Sequence, residues 1–277
     1  MTKKHWHQHF VKSMKIAVAA ILAIALAGEL GLQYSATAGI ITVLSIQNTK
    51  RETFKSARNR GLAFLCALVL AAICYGILDF TLWAFAIYLF LFALLCLRAG
   101  WGEAIAMDSV LITHFLAEKS MSSEWILNEI LLFVIGTGFG IVINIHLQKK
   151  GEEFDRLAAK VDTQIKEVLR TMSQHLLSEE TKDYNLYFQS LQSALEEAKH
   201  CAATNYNNEL WKADSFELDY IKMREQQSVV LLAISENLEK IAYLPRQARQ
   251  VGQLFGKIEK EFHKENTVEG LLADLEE

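Results

Sequence analysis

The stretch that most constrains this chain runs from Ser35 to Arg60, SATAGIITVLSIQNTKRETFKSARNR. Its first part, Ser35 to Gln47, is apolar and short. Its second part carries Lys50, Arg51, Lys55, Arg58 and Arg60 against a single acid, Glu52. A helix needs about 20 apolar residues to cross a bilayer, so the apolar part enters lipid without comfortably crossing it. Positive charge beside a membrane segment marks the cytoplasmic side, because basic residues resist translocation. With that basic loop held inside the cell, the other apolar segments fall into order.

Those segments cover 16–32, 61–80, 82–97, 103–117 and 125–147. Six crossings that start inside gather Lys3, Lys4, Lys12, Lys15, Lys50, Arg51, Lys55, Arg58, Arg60, Arg98, Lys149 and Lys150 on the cytoplasmic edges, and leave Lys119 outside. This asymmetry predicts a multi-pass protein of the plasma membrane with both termini cytoplasmic. The basic start followed by 16–32 has the look of a signal anchor, retained because more spans follow. His5, His7 and His9 precede it without completing a metal site, and are expected to rest on anionic headgroups. The second, fourth and fifth segments are shorter than a full span. Partial helices are tolerated only where protein or a water-filled cavity covers their free backbone groups, and short segments point to binding sites in transporters.

Charge separates the chain into two parts. Residues 1–150 hold 13 Lys+Arg and 8 Asp+Glu, whereas residues 151–277 hold 15 and 24. The acidic second part argues against a nucleic-acid partner. From Gly151 the pattern becomes that of amphipathic helices, with Phe154, Leu157, Val161, Ile165, Val168, Met172 and Leu176 on one stripe. Further helices are expected over 184–203 and 216–244. Another carries Pro245 in its first turn, where the missing N–H costs nothing. A last short helix is expected from the capping-box spacing of Asn266 and Glu269. The expected fold is all-α: a six-span transmembrane helical bundle over 1–150, then a cytoplasmic acidic helical bundle over 151–277. The four cysteines (Cys66, Cys74, Cys96, Cys201) show no pairing logic and are expected as buried small hydrophobes.

Ionisable groups inside a bilayer cost at least ~2.5 kcal/mol at its centre and usually face the bundle interior or water. The fifth segment concentrates them. At about 100° and 1.5 Å per residue, Glu103 and His114 share a helix face roughly 16 Å apart, with Asp108 between them in height but about 120° around from His114. Asp108 is the candidate proton carrier, and Glu103 and His114 are further relay or gate groups; the alternative is that Asp108 caps or pairs with a neighbouring helix while Glu103 and His114 sit at wet interfaces. Glu29, at the end of the first span, is a weaker candidate of the same kind. Arg98 and Arg60 are candidates for attracting an anion at the inner mouth, since guanidinium binds carboxylate in a fork geometry; topology marking is their plainer reading. Asn144 could hydrogen-bond a carboxylate or cap its span. Glu129, Gly136 and Gly140 share a face, and the Gly-x-x-x-Gly spacing reads as close helix packing.

No phosphate-loop glycine motif, metalloprotease helix motif, nucleophile elbow or paired-cysteine metal motif appears, so an enzyme, a cofactor or a bound metal is not expected. The six short segments, ATAGIITVLSIQ with the basic NTKRETFKSARNRG after it, and the sixth segment ending GTGFGIVINIHLQKK resemble the bacterial aromatic acid exporter family of Gram-positive type. FELDYIKMREQQ, LPRQARQVGQLF and HKENTVEGLLADLEE are similar to the C-terminal domain that accompanies such membrane halves. The family is distantly related to fusaric-acid-resistance-type efflux proteins, whose larger members carry two six-span units. The resemblance implies efflux of aromatic or other organic carboxylates, driven by a gradient, and a homodimer if two units are needed. The expected partners are the lipid bilayer and small organic anions. Alternatives are a passive anion channel, or a membrane-anchored scaffold or sensor whose soluble bundle docks a partner.

Overall fold

The computed structural model describes residues 3–145, 150–178, 183–210, 214–241 and 247–262, and it divides into two compact units, Met1–Leu147 and Gln148–Glu277. Among the described residues every regular element is a helix. The first unit holds α1 (Lys3–Glu29), α2 (Ala36–Ser45), α3 (Lys50–Leu78), α4 (Leu82–Ala99), α5 (Ala104–Glu118) and α6 (Ser123–Ile145). Four of these, α1 from Phe10 onward, α3, α4 and α6, are long and apolar enough to cross a membrane.

The basic stretch expected as a loop is helical. Thr49 caps α3, its hydroxyl accepting from the Glu52 backbone N–H at 3.3 Å, and Lys50 to Arg60 form the first turns of a 29-residue helix. The reason lies in the residues: Thr49-x-x-Glu52 has capping-box spacing, and Lys, Arg and Ala are good helix formers.

The first unit is inside-out relative to a water-soluble bundle. On α3 the three positions at 0% exposure are all alanine, Ala63, Ala67 and Ala71, while Leu65, Val69, Ile73 and Ile77 stand 52–75% exposed. On α1, Ala19, Ala23 and Ala27 face inward and Ile21, Leu22 and Leu26 outward. Small residues let backbones approach, and large apolar ones meet hydrocarbon at no cost. Water would not tolerate that surface. The solvent of this unit is lipid, and the protein is a membrane protein.

α2 has only 10 residues, yet its segment follows α6 for well over that length. At one end Asn128 of α6 exchanges two hydrogen bonds with the Gln33 backbone (2.9 and 3.2 Å); at the other, Asn144 of α6 donates to the Gln47 carbonyl at 3.0 Å. Those two asparagines lie about 24 Å apart along a helix rising 1.5 Å per residue. Ten helical residues cover about 15 Å; the rest is turn before Ala36 and extended chain at Ile46. Two glycines of α6 seat α2. A Cβ on Gly136 would lie 2.5 Å from Ile41 and 2.7 Å from the Ala38 carbonyl, and one on Gly140 would lie 2.5 Å from Ser45. The packing reading of this glycine pair holds. α5, 15 residues long, is likewise inside, with Met107, Asp108, Leu111, Ile112, His114 and Phe115 buried.

The second unit has the ordinary polarity of a soluble bundle. α7 (Gly151–Ser178), α8 (Asn185–Asn208), α9 (Phe216–Glu239) and α10 (Ala248–Glu261) bury large aliphatic and aromatic residues. The α7 stripe from Phe154 to Leu176 is buried throughout. α10 lies close on α7 because Gly252 leaves room for the Leu176 Cβ, which a Cβ there would meet at 3.0 Å. α8 runs past the expected 203, and α9 ends before 244. Pro245, Asn266 and Glu269 lie outside the described residues, as do His146 and Lys149.

Candidate functional site

The polar groups of the first unit form three stations along α5, one at each end and one between. At the end near Tyr34, His114 is buried. Its Nδ1 lies 2.8 Å from Glu129 Oε2 on α6, and its Nε2 lies 3.5 Å from the Thr37 hydroxyl of α2. Asn128 donates to the other Glu129 oxygen at 3.0 Å. The Tyr34 ring lies flat on the imidazole, centroids 4.0 Å apart, and its hydroxyl donates to Glu118 at 2.7 Å. Tyr34 holds a left-handed backbone at φ 57°, a conformation that costs a non-glycine residue energy. Glu129 is 0% exposed and so depends on these donors entirely.

Midway along α5, Asp108 is 0% exposed and neither of its carboxylate oxygens has a hydrogen-bond partner among the described residues. It lies within electrostatic reach of Arg60 on α3 and of Tyr88 and Cys96 on α4. The buried Tyr88 and Ser109 hydroxyls lie beside one another and interact. The large majority of buried side-chain polar atoms are paired, so a buried carboxyl with both oxygens unbonded is unusual.

At the other end a cavity of about 340 Å³ opens between the start of α3, the α4–α5 turn and the chain after α2. It is lined by Gln47, Lys55, Ser56, Arg60, Trp101 and Glu103 among others. The turn that places Trp101 is closed by Gly100, at φ 72°, with the Trp101 N–H donating to the Cys96 carbonyl at 2.8 Å. Only glycine adopts that conformation freely. Arg60 is 5% exposed, and its Nη1 donates to the Leu44 carbonyl at 2.7 Å. Glu103 Oε2 accepts from Ser56 at 2.9 Å, from Gln47 at 3.3 Å and from Arg60 Nη2 at 3.5 Å.

The expected residues therefore separate. Glu103 and His114 both face the segment that contains α2, meeting it at Gln47 and Thr37, while Asp108 points away toward α3 and α4. Arg60 joins Glu103 in the cavity. Asn144 is buried, its amide nitrogen spent on the Gln47 carbonyl and the Thr53 hydroxyl (2.6 Å). Glu29 and Arg98 are exposed at the ends of α1 and α4, and neither lines the cavity. Reading the sequence missed Glu129 as the partner of His114, along with Tyr34, Gln47, Ser56 and Trp101. Only Glu129 had a signal, since it shares a helix face with the two glycines that seat α2.

Residues 8–147 match the family model described as "Aromatic acid exporter family member 1", and residues 151–277 match one described as "Putative aromatic acid exporter C-terminal domain". A protein of Bacillus subtilis (strain 168), described as uncharacterized protein YqjA, is 22% identical over 264 residues, which cover 95% of this chain and 82% of the relative.

Proposed function

This chain belongs to the aromatic acid exporter family, and from that premise we propose that it carries aromatic or other organic carboxylates out of the cell, driven by the proton gradient. The membrane part crosses the bilayer six times, α2 and α5 completing two of the crossings as short helices inside the bundle, and both termini face the cytosol. The acidic second unit is then cytoplasmic, and two copies make up the working assembly. Arg60 attracts the anion at the inner mouth, Asp108 exchanges a proton, and His114 and Glu103 stand at the two ends of its route.

Asp108 carries this reading. Ionised, it is a buried charge with no hydrogen bond, met only by the Arg60 charge at a distance; protonated, it needs an acceptor and has none among the described residues. Neither state is satisfied, which is the property expected of a group that changes partners during a cycle. The structural alternative, a carboxyl bonded to a neighbouring helix, is weakened by the same observation.

Vesicles holding the purified protein and loaded with benzoate and hydroxybenzoates test the reading. Protein-dependent efflux should appear, respond to a pH gradient, and fall at least tenfold in Asp108→Asn while the melting temperature is kept. No flux for any acid of a broad panel would defeat it. Flux that follows voltage alone, ~2.3 kcal/mol per charge per 100 mV, and survives Asp108→Asn would make the protein a passive anion channel.

A further inference from the structure

We propose that Gln47, Ser56 and Arg60 form the binding site for the carboxylate of a single-ring aromatic acid, and that Glu103 is the internal carboxylate that holds this site until the substrate displaces it. The proposal rests on the transport reading above and names its substrate site.

Three donors from two segments of chain converge on one oxygen of Glu103, which is how a protein binds a carboxylate ligand. The Arg60 contact is loose. At 3.5 Å it is well beyond the ~2.7–2.9 Å of a charge-assisted hydrogen bond. Arg60 Nη1 is fixed by the Leu44 carbonyl, whereas Nε has no acceptor among the described residues although the side chain is 6% exposed. Nε and Nη2 form one edge of the guanidinium, the edge that grips a carboxylate with two parallel bonds. That edge is only half used, its Nε buried without an acceptor among the described residues.

Glu103 is built to leave. Its side chain is 64% exposed, so swinging into water costs little desolvation. An incoming carboxylate would take over the Ser56 and Gln47 donors, complete the Arg60 fork and relieve the charge repulsion by expelling Glu103. Trp101 lines the same cavity and places an aromatic side chain beside the carboxylate donors. A volume of about 340 Å³ lies at the small end of ligand pockets and has room for an aromatic ring. Lys55 and Arg60 against Glu52 and Glu103 leave the cavity without net charge; removing Glu103 from it makes it cationic.

The experiment is equilibrium binding of benzoate to the full-length protein in detergent, with phenol and acetate as the ring-only and carboxylate-only probes. Glu103→Gln keeps an acceptor for Ser56 and Gln47 but removes the competing charge, and should tighten benzoate binding about tenfold. Glu103→Ala should do the same. Ser56→Ala and Gln47→Ala, both at partly exposed positions, should weaken it several-fold, and Arg60→Lys should abolish it. Phenol and acetate should bind far more weakly than benzoate in every variant. Benzoate binding that is unchanged or weaker in both Glu103 variants overturns the proposal, as does binding indifferent to Arg60 and Ser56. Because binding needs no gradient, the two readings fail separately. Tighter binding in Glu103→Gln without flux leaves the site standing and the transport reading fallen, and flux with binding indifferent to Glu103 does the reverse.

Discussion

At the scale of single residues, the first unit separates polar groups that are satisfied from those that are not. Glu129 is fully buried and bonded by His114 and Asn128; Asp108 is equally buried and bonded by nothing among the described residues. Removing one partner of a buried pair leaves the other uncompensated and costs ~3–5 kcal/mol, whereas replacing both by apolar residues is close to neutral. His114→Leu should therefore lower the melting temperature sharply, and His114→Leu with Glu129→Leu should recover most of the loss. Thermal melts of the purified variants check this. A double variant no more stable than the single would show that the two groups are not energetically coupled. The neutral Asp108→Asn, by contrast, removes no bond and should melt as the parent does.

At the scale of elements, close approach of α2 to α6 depends on two hydrogens. A methyl at Gly136 would press on a β-branched side chain and a backbone carbonyl, neither of which can move far. Overpacking of this kind costs ~1–3 kcal/mol. Gly136→Ala and Gly140→Ala should each lower thermal stability, while Gly138→Ala, which meets nothing within 4 Å, should leave it unchanged or raise it. α2 also shows why a ten-residue helix survives in this setting. The Leu44 carbonyl near its end accepts from Arg60 of α3, and the chain beyond each end is bonded by α6, Asn128 at Gln33 and Asn144 at Gln47; these side chains substitute for the water that a bilayer lacks.

At the scale of the whole molecule, the two units bury opposite kinds of side chain, and each predicts its own behaviour. The proposed orientation puts Lys55, in the first turns of α3, on the opposite side of the membrane from Lys119, which ends α5. In a chain freed of its native cysteines, Lys119→Cys should react with an impermeant maleimide in intact cells and Lys55→Cys only after permeabilisation; the reverse would invert the topology. In the second unit, burial pushes the phenols of Tyr184 and Tyr220 up to about 12, with the Asp162 carboxylate that Tyr220 bonds at 2.7 Å adding to its shift. The unfolded value is about 10. The folded state thus holds these protons more tightly, so the stabilisation is complete below pH 10 and is lost as pH rises through 12. Helix content of the full chain followed from pH 9 to 12 should show this loss, and Tyr184→Phe or Tyr220→Phe should each make it shallower.

Local pattern alone determined the class of fold. The amphipathic period of α7, the glycine pair of α6 and the basic edges of the apolar segments are each properties of neighbouring residues, so they survive in one dimension. The start of α3 was legible too, in Thr49 and Glu52, but charge density made it read as a loop. The tertiary structure decided everything that depends on which helix faces which. Glu103 and His114 lie 11 positions apart on one face, yet only the path of α2 brings Gln47 to the first and Thr37 to the second. Likewise, Arg60 and Glu103 meet because a glycine turn brings the start of α5 beside the start of α3. Helical period fixes direction around one axis; a binding site needs the separation between axes, and packing alone sets that.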